Sequence, residues 1–238
     1  MTGDRGESSA GIAGIADRAD SVGRAGRRPE HPRLLVATHS QHKLRELRDL
    51  LRPQRAELVS LRELGIADEV EETGATFEAN ARLKARFYAR LSGLPTLADD
   101  SGLEVDALDG GPGVRTRRYA GENATDADNN AKLLAALREL PPERRGARYV
   151  CVLALSLAGA SGPRGALLVI LTRGTCRGRI ATSARGSGGF GYDPIFEPAA
   201  EPPGGRTVGQ YARSEKDRIS HRGRAARRMA PRLAGLGF

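Results

Sequence analysis

Two adjacent carboxylates, a hydroxyl and a glycine follow a short apolar run in Leu97-Ala98-Asp99-Asp100-Ser101-Gly102. Carboxylates held at a strand end suit two tasks: gripping a hard divalent cation through oxygen, or taking a proton from water. Neighbouring strand side chains point to opposite faces, so only one of the two Asp enters a given cleft. Asp, Ser and Gly are also ordinary turn residues, and taken alone the segment reads as a solvated turn. A second concentration of signal is Gly186-Ser187-Gly188-Gly189-Phe190-Gly191-Tyr192-Asp193-Pro194. Its glycines permit close backbone approach, and Phe190 and Tyr192 offer rings that could sandwich a planar base. The plain alternative is a flexible loop with one aromatic anchor. The third signal is scarcity: Lys43, Lys84, Lys132 and Lys216 are the only lysines, so 34 of the 38 basic residues are arginine. In a chain that uses arginine by default, a retained lysine points to a need for a compact ammonium.

These residues need elements to position them. Arg33 to Thr38 reads as a short buried strand, followed by Ser40 as a helix N-cap and by Leu44, Leu47 and Leu51 at helical spacing. The loop Thr38-His39-Ser40-Gln41-His42-Lys43 therefore lies at a helix N-terminus, where free N–H groups and the dipole favour phosphate. It lacks the glycines of a Walker loop, and no partner spacing makes His39 or His42 a metal ligand. Ala56 to Ser60 is a second strand, and Glu69 to Gly74 an acidic, solvated loop. Thr76 opens a helix to about Leu91 with Gly93 as its stop. Phe77, Ala81, Lys84, Ala85 and Tyr88 share its inward side, so Lys84 implies that this face borders a charged cleft. A strand is expected to end at Asp100 and return, before a glycine-rich loop at Asp109 to Val114 and three arginines between Arg115 and Tyr119. A helix is expected from about Thr125 to Leu140 with Leu133, Leu134 and Leu137 inward. Strands are expected at Arg148 to Leu157, Ala166 to Thr172 and Arg179 to Ala184, the first two joined by a turn over Gly159 to Pro163. A basic helix reaches about Leu233. Strands alternating with helices, with some connections as short as hairpins, give an α/β protein with mixed strand directions.

The 238 residues are enough to bury a sizeable core, and 39% hydrophobic content with dispersed charge fits a globular protein. There is no tryptophan and little aromatic content, which argues against a stacking platform for single-stranded nucleic acid. The net charge of +9 is concentrated at the C-terminal end: Arg206 to Arg232 holds nine basic residues against Glu215 and Asp217. Such a cluster attracts polyanions, a nucleic-acid backbone or a free triphosphate, or is simply a solvated helix face. Cys151 and Cys176 make no metal pattern, Cys151 reads as a small buried hydrophobe, and this cysteine use suggests a reducing, cytoplasmic setting. Residues 1–31 have no sustained period and no apolar core of signal-peptide length; they read as a disordered N-terminal extension to a single catalytic domain over 32–238. No apolar run approaches the roughly 18 residues of a membrane span.

Five separated segments then combine. Val36-Ala37-Thr38 with Lys43, Thr76-Phe77-Glu78-Ala79-Asn80-Ala81 with Lys84, Ala98 to Leu103, the run from Gly188 to Ile195, and Ile219-Ser220-His221-Arg222-Gly223 resemble the inosine/xanthosine triphosphate pyrophosphatases, also called HAM1-like. The resemblance runs from Leu34 to about Leu233 with the motifs in order. It implies an elongated, twisted mixed sheet flanked by helices, in two lobes with the active-site cleft between them. It implies hydrolysis of dITP, ITP and XTP to the monophosphate and pyrophosphate, with Mg²⁺, by a homodimer in the cytoplasm. By the same resemblance Asp100 is the catalytic base and a metal residue, with Glu72, or its neighbour Glu71, as a second metal carboxylate. Thr38, His39, Ser40, Gln41, His42 and Lys43 bind the triphosphate with Lys84 and Ser101. Phe190, Gly191, Tyr192, Asp193, Lys216, His221 and Arg222 shape the base and nucleotide pocket. Ser40 stands where the family usually has Asn, and Arg117 where it commonly has Ala. The rival functions are a pyrophosphatase acting on other modified nucleotides and a basic nucleic-acid-binding module.

Overall fold

The computed structural model describes residues 31–53, 55–161 and 167–238. The extension expected over 1–31, apart from His31, and part of the turn expected over 159–163 lie outside these residues. The first three α-helices form where the sequence supplies side-chain caps. Helix α1 (Gln41–Leu51) starts at Ser40, whose Oγ accepts the Lys43 N–H at 3.4 Å. Helix α2 (Phe77–Ser92) starts at Thr76, whose Oγ1 accepts the Ala79 N–H, and stops at Gly93 in the left-handed region, φ 68°. Helix α3 (Asp126–Ala136) is capped reciprocally by Thr125 and Asp128. It ends four residues before the Leu140 expected, but Leu133 and Leu137 are buried as its pattern requires.

Six strands form one mixed sheet, in order β2-β1-β3-β4-β5-β6. Strand β1 (Arg33–Ala37) runs parallel to β2 (Glu57–Ser60) and to β3 (Thr96–Val105). Strands β4 (Gly146–Ser161), β5 (Leu167–Ile180) and β6 (Phe196–Pro198) add on antiparallel. Two expectations about strands fail. Asp99 to Gly102 is neither a strand end nor a turn: β3 continues through it, paired without a break to β4 from Thr96↔Ser156 to Val105↔Ala147. Nor is there a third strand at 179–184; β5 runs on to Ile180 and the last strand is β6. Its polar stretch was misleading because the alternation there is exposed Arg173 and Arg177 against small buried residues. Gly174 is one of these, since a Cβ would overlap the His221 carbonyl oxygen and the Ala225 nitrogen of the helix lying on it.

That helix, α5 (His221–Gly235), is separated at Ser220 from the short α4 (Arg213–Ile219), and Ser220 caps it by accepting the Gly223 N–H. Alternation in β1 divides the core between the two faces of the sheet. Leu34 and Val36 pack with Leu44, Leu47 and Leu51 of α1 and with Ala225, Met229 and Leu233 of α5. Leu35 and Ala37 pack with Phe77, Ala81, Ala85 and Tyr88 of α2. A third cluster lies at the far end of the long strands, where Leu103 and Val105 meet Leu133, Leu137, Tyr149, Ile180 and Phe196. The long central strands thus join two lobes with separate cores, and residues 31–238 form one compact unit.

Candidate active site

The site is a gap in the sheet. Strand β1 accompanies β3 only as far as Ala37↔Ala98. Farther along, the segment Gly111–Arg118 occupies that same edge: Gly111 O accepts the Val105 N–H at 2.9 Å, and Thr116 Oγ1 accepts the Leu103 N–H at 2.8 Å. Asp99, Asp100, Ser101 and Gly102 lie between, and among the described residues no strand pairs with them on that edge. The chain also leaves β1 toward β2 and returns as β3 on the other side, so the gap sits at a topological switch point beyond the carboxyl end of β1. One cavity of about 1110 Å³ fills it, and all seventeen residues expected at the site line that cavity.

On the α2 side, Lys84 Nζ stands between two carboxylates, 2.7 Å from Asp100 Oδ1 and 2.7 Å from Glu72 Oε1, and also donates to the Asp99 carbonyl oxygen at 3.3 Å. Burial opposes the ammonium, but Asp100 and Glu72 outweigh it and raise its pKa. Burial raises the Asp100 pKa against the pull of Lys84, leaving a carboxyl readier to hold a proton than an exposed one. The acidic segment that carries Glu72 is tied down at both ends: Tyr88 Oη donates to the Asp68 carbonyl oxygen at 2.8 Å, and Asn80 Oδ1 accepts the Gly74 N–H at 2.7 Å.

On the α1 and α5 side, Asp99 is the centre of a buried charge network. Lys43 Nζ lies 2.6 Å from its Oδ1, Arg222 Nε 3.0 Å from its Oδ2, and the Ser101 hydroxyl and Cys151 thiol donate to it. Burial disfavours this carboxylate, yet Arg222 and Lys43 hold its pKa well below the usual range. Alternation turns Asp100 toward α2 and Asp99 toward α1 and α5, yet both line the one cavity, so the expectation that only one of them enters the cleft fails: the cleft opens at the free edge of β3 and is reached from both faces of the sheet. Arg222 continues to Glu46 and to the Ser101 hydroxyl, and Glu46 shares Lys216 at 2.8 Å with Asp193 at 2.7 Å. Against the cost of burial, Arg222 and Lys216 lower the Glu46 pKa to about 2. His221 is buried and stacks on Tyr149 at 4.6 Å; burial, then Arg222, drive its pKa well below the ordinary value.

The remaining walls are two loops. Thr38 Oγ1 accepts the Ser40 N–H at 3.2 Å, and His39 contacts Asp68 O and Tyr88 Oη, so the first loop also braces the acidic segment. Gln41 and His42 occupy the exposed first turn of α1. Phe190 stacks on His42, centroids 5.1 Å apart, with Lys216 Nζ 4.7 Å from its ring centre. The ring pair imagined for Phe190 and Tyr192 does not exist, because Tyr192 is buried in the third core cluster with its hydroxyl on Thr116 O. Gly191 is held from α3, where its N–H donates to Asp126 at 2.6 Å and its carbonyl accepts from Asn130 at 3.1 Å.

Sequence reasoning missed Glu46, the network role of Asp99, and the α3 clamp. Glu46 had one available signal: an acid between Leu44 and Leu47, one turn after Lys43, on the inward side of an amphipathic helix. Five carboxylates (Glu46, Glu72, Asp99, Asp100, Asp193) thus face four cations (Lys43, Lys84, Lys216, Arg222). The paired cations alone do not offset a polyphosphate, which needs positive charge from outside this network. Asp100 and Glu72 are hard oxygen donors converging on one point, which suits Mg²⁺ sharing its shell with phosphate and water. Among the described residues no three His, Cys, Asp or Glu side chains form a group able to hold a metal alone. The C-terminal basic cluster divides: Lys216 and Arg222 turn into the network, while exposed Arg224 and Arg227 donate to main-chain carbonyls.

A crevice lined by paired charges and a helix N-terminus, at the switch point of a sheet that begins β-α-β, defines an α/β protein built to bind a phosphorylated ligand. Among such proteins its place is specific. Residues 34–232 match the sequence pattern of the Ham1 family, and the chain belongs to that family. It is 47% identical to a dITP/XTP pyrophosphatase of Anaeromyxobacter sp., over 85% of this chain and 97% of that protein. It is 48% identical to a dITP/XTP pyrophosphatase of Mycolicibacterium paratuberculosis, over 85% and 96%. The structure of a HAM1 protein from Coxiella burnetii superposes with a TM-score of 0.74 at 40% identity, covering 86% of this chain and 99% of that one. Among the described residues no helix is long and apolar enough to cross a membrane.

Proposed function

We propose that this chain is a Mg²⁺-dependent nucleoside triphosphate pyrophosphatase that hydrolyses dITP, ITP and XTP to the monophosphate and pyrophosphate. The observation that carries the reading is Asp100, Lys84 and Glu72 sharing one cavity with the Phe190 loop and the N-terminus of α1. The relatives' activity on dITP and XTP supports it. The catalytic domain spans 32–238, acts as a homodimer, and works in the cytoplasm on the free nucleotide pool.

The free N–H groups of α1 and Lys43 hold phosphate oxygens, and Lys84 neutralises charge beside the reacting centre. Asp100 accepts a proton from the attacking water as its oxygen bonds to the α-phosphorus, and the bond from that phosphorus to the bridging oxygen breaks to release pyrophosphate. Asp100 and Glu72 would hold Mg²⁺, which offsets phosphate charge and makes a bound water more acidic. Phe190 covers one face of the base, while His221 or Arg222, with glycine-loop N–H groups other than the bonded ones of Gly188, Phe190 and Gly191, presents donors to a 6-oxo group. A 6-amino group would leave those buried donors unmatched, so adenine nucleotides are rejected.

The test is a panel of nucleotides with separate detection of pyrophosphate and orthophosphate. Pyrophosphate is released from dITP and XTP and little from dATP, and Asp100→Asn lowers kcat by about a thousandfold. Orthophosphate as the first product, or an Asp100→Asn protein of full activity, defeats the mechanism.

A further inference from the structure

The four cations of the buried charge network are all engaged. Lys43 is held by Asp99, Lys84 by Asp100 and Glu72, Lys216 by Glu46 and Asp193, and Arg222 by Asp99 and Glu46. A phosphate reaching any of them competes with a carboxylate already in place. Arg115 and Arg117 differ. Both line the same cavity, both are exposed, and among the described residues neither guanidinium has an ion-pair or hydrogen-bond partner.

Their position follows from how the sheet gap is closed. The turn Gly113–Arg118 is seated on β3 by the Thr116 hydroxyl on Leu103 N, and by Gly113 O against Gly102, where a Cβ would come within 2.6 Å. Leu103 is three residues past Asp100, roughly 10 Å along the strand. Lys43 and the α1 N-terminus form one wall of the gap, and this turn forms the other. A polyanion centred on Lys84 and Asp100 has partnered cations on the first wall and free guanidinium groups on the second. Arginine's fork suits phosphate oxygens, and an uncompensated guanidinium has no internal anion to release first.

We propose that Arg115 and Arg117 form an anion subsite on the wall opposite Lys43, which takes the terminal phosphates of the triphosphate. The assignment to a nucleotide substrate rests on the function proposed above, whereas the anion subsite itself does not. It contributes mainly to ground-state capture, so it governs KM and its salt dependence more than kcat.

The experiment compares the full chain with Arg115→Gln, Arg117→Gln, the double variant and Arg117→Lys. Arg90→Gln serves as a control that removes one charge from an exposed position away from the cavity. Inorganic tripolyphosphate binding is read by calorimetry, and dITP turnover by pyrophosphate release. In the double variant tripolyphosphate binding weakens about tenfold and the KM for dITP rises about as much, while kcat falls less than about threefold. The difference shrinks as salt is raised from about 0.05 to about 0.5 M, and Arg117→Lys restores part of it. Unchanged tripolyphosphate binding in the double variant, an equal loss in Arg90→Gln, or a fall confined to kcat overturns the subsite. If the wild type binds tripolyphosphate through these arginines yet releases no pyrophosphate from any nucleotide, the subsite stands and the proposed function falls.

Discussion

Glu46→Gln removes one carboxylate from the buried network without changing the shape of the side chain. Glu46 is 9% exposed and receives both Lys216 and Arg222. Burial opposes its charge, but the two cations win and lower its pKa from 4.5 to about 2. At about 1.4 kcal/mol per pH unit, that gap is worth about 3 kcal/mol of folding stability near neutral pH. Loss of one partner from a buried ion pair gives the same scale, about 3–5 kcal/mol, because Arg222, 1% exposed, would remain under-neutralised. The sign follows from the direction of the shift. A lowered carboxyl pKa stabilises the folded state above the unfolded value of 4.5 and loses that effect as pH falls toward 2. The difference between wild type and Glu46→Gln is therefore about 3 kcal/mol at pH 7, about 2 at pH 3.5, and close to zero at pH 2. Urea unfolding at several pH values reads it as a shift in midpoint at constant slope. Glu63 provides an internal comparison. Its pKa is also lowered to about 2, chiefly by Arg48 and Ser60, but its side chain is 52% exposed, so Glu63→Gln costs under about 1 kcal/mol after solvent screening. A pH-independent Glu46→Gln effect, or one no larger than that of Glu63→Gln, refutes the reasoning.

Two further outcomes probe the packing around the site. Gly174→Ala forces α5 off the sheet and lowers stability by about 3 kcal/mol, roughly 10 °C in the unfolding midpoint; an unchanged midpoint contradicts the close approach of helix and strand. Cys151 is fully buried, its thiol donates to Asp99, and burial, then Asp99, drive its pKa well above the ordinary value. Thiol reagents at pH 8 therefore label neither Cys151 nor the buried Cys176 until denaturant is added, and a rapid native reaction at Cys151 excludes this environment.

Local chemistry was legible where a residue acts on its own neighbours. Ser40, Thr76 and Gly93 bound their helices as their side chains or lack of one require, and Lys84 on the inward row of α2 announced a charged cleft. The order of motifs and the scarcity of lysine marked the site's members, and three of the four lysines line its cavity. Long-range pairing was not legible. Asp99 to Gly102 has turn composition, but β4 supplies an unbroken ladder and Lys43, Lys84 and Arg222 supply the charges that make burial tolerable. Glu46 stands 176 positions from Arg222, and nothing local to α1 reveals that partner. Tyr192 offered an aromatic face that the third core cluster takes for itself. Residue types and caps, which act over a few positions, were thus determined by the sequence alone. Which carboxylate meets which cation, and where the sheet leaves its gap, were decided by the tertiary structure, because those interactions depend on distances in space between segments far apart in the chain.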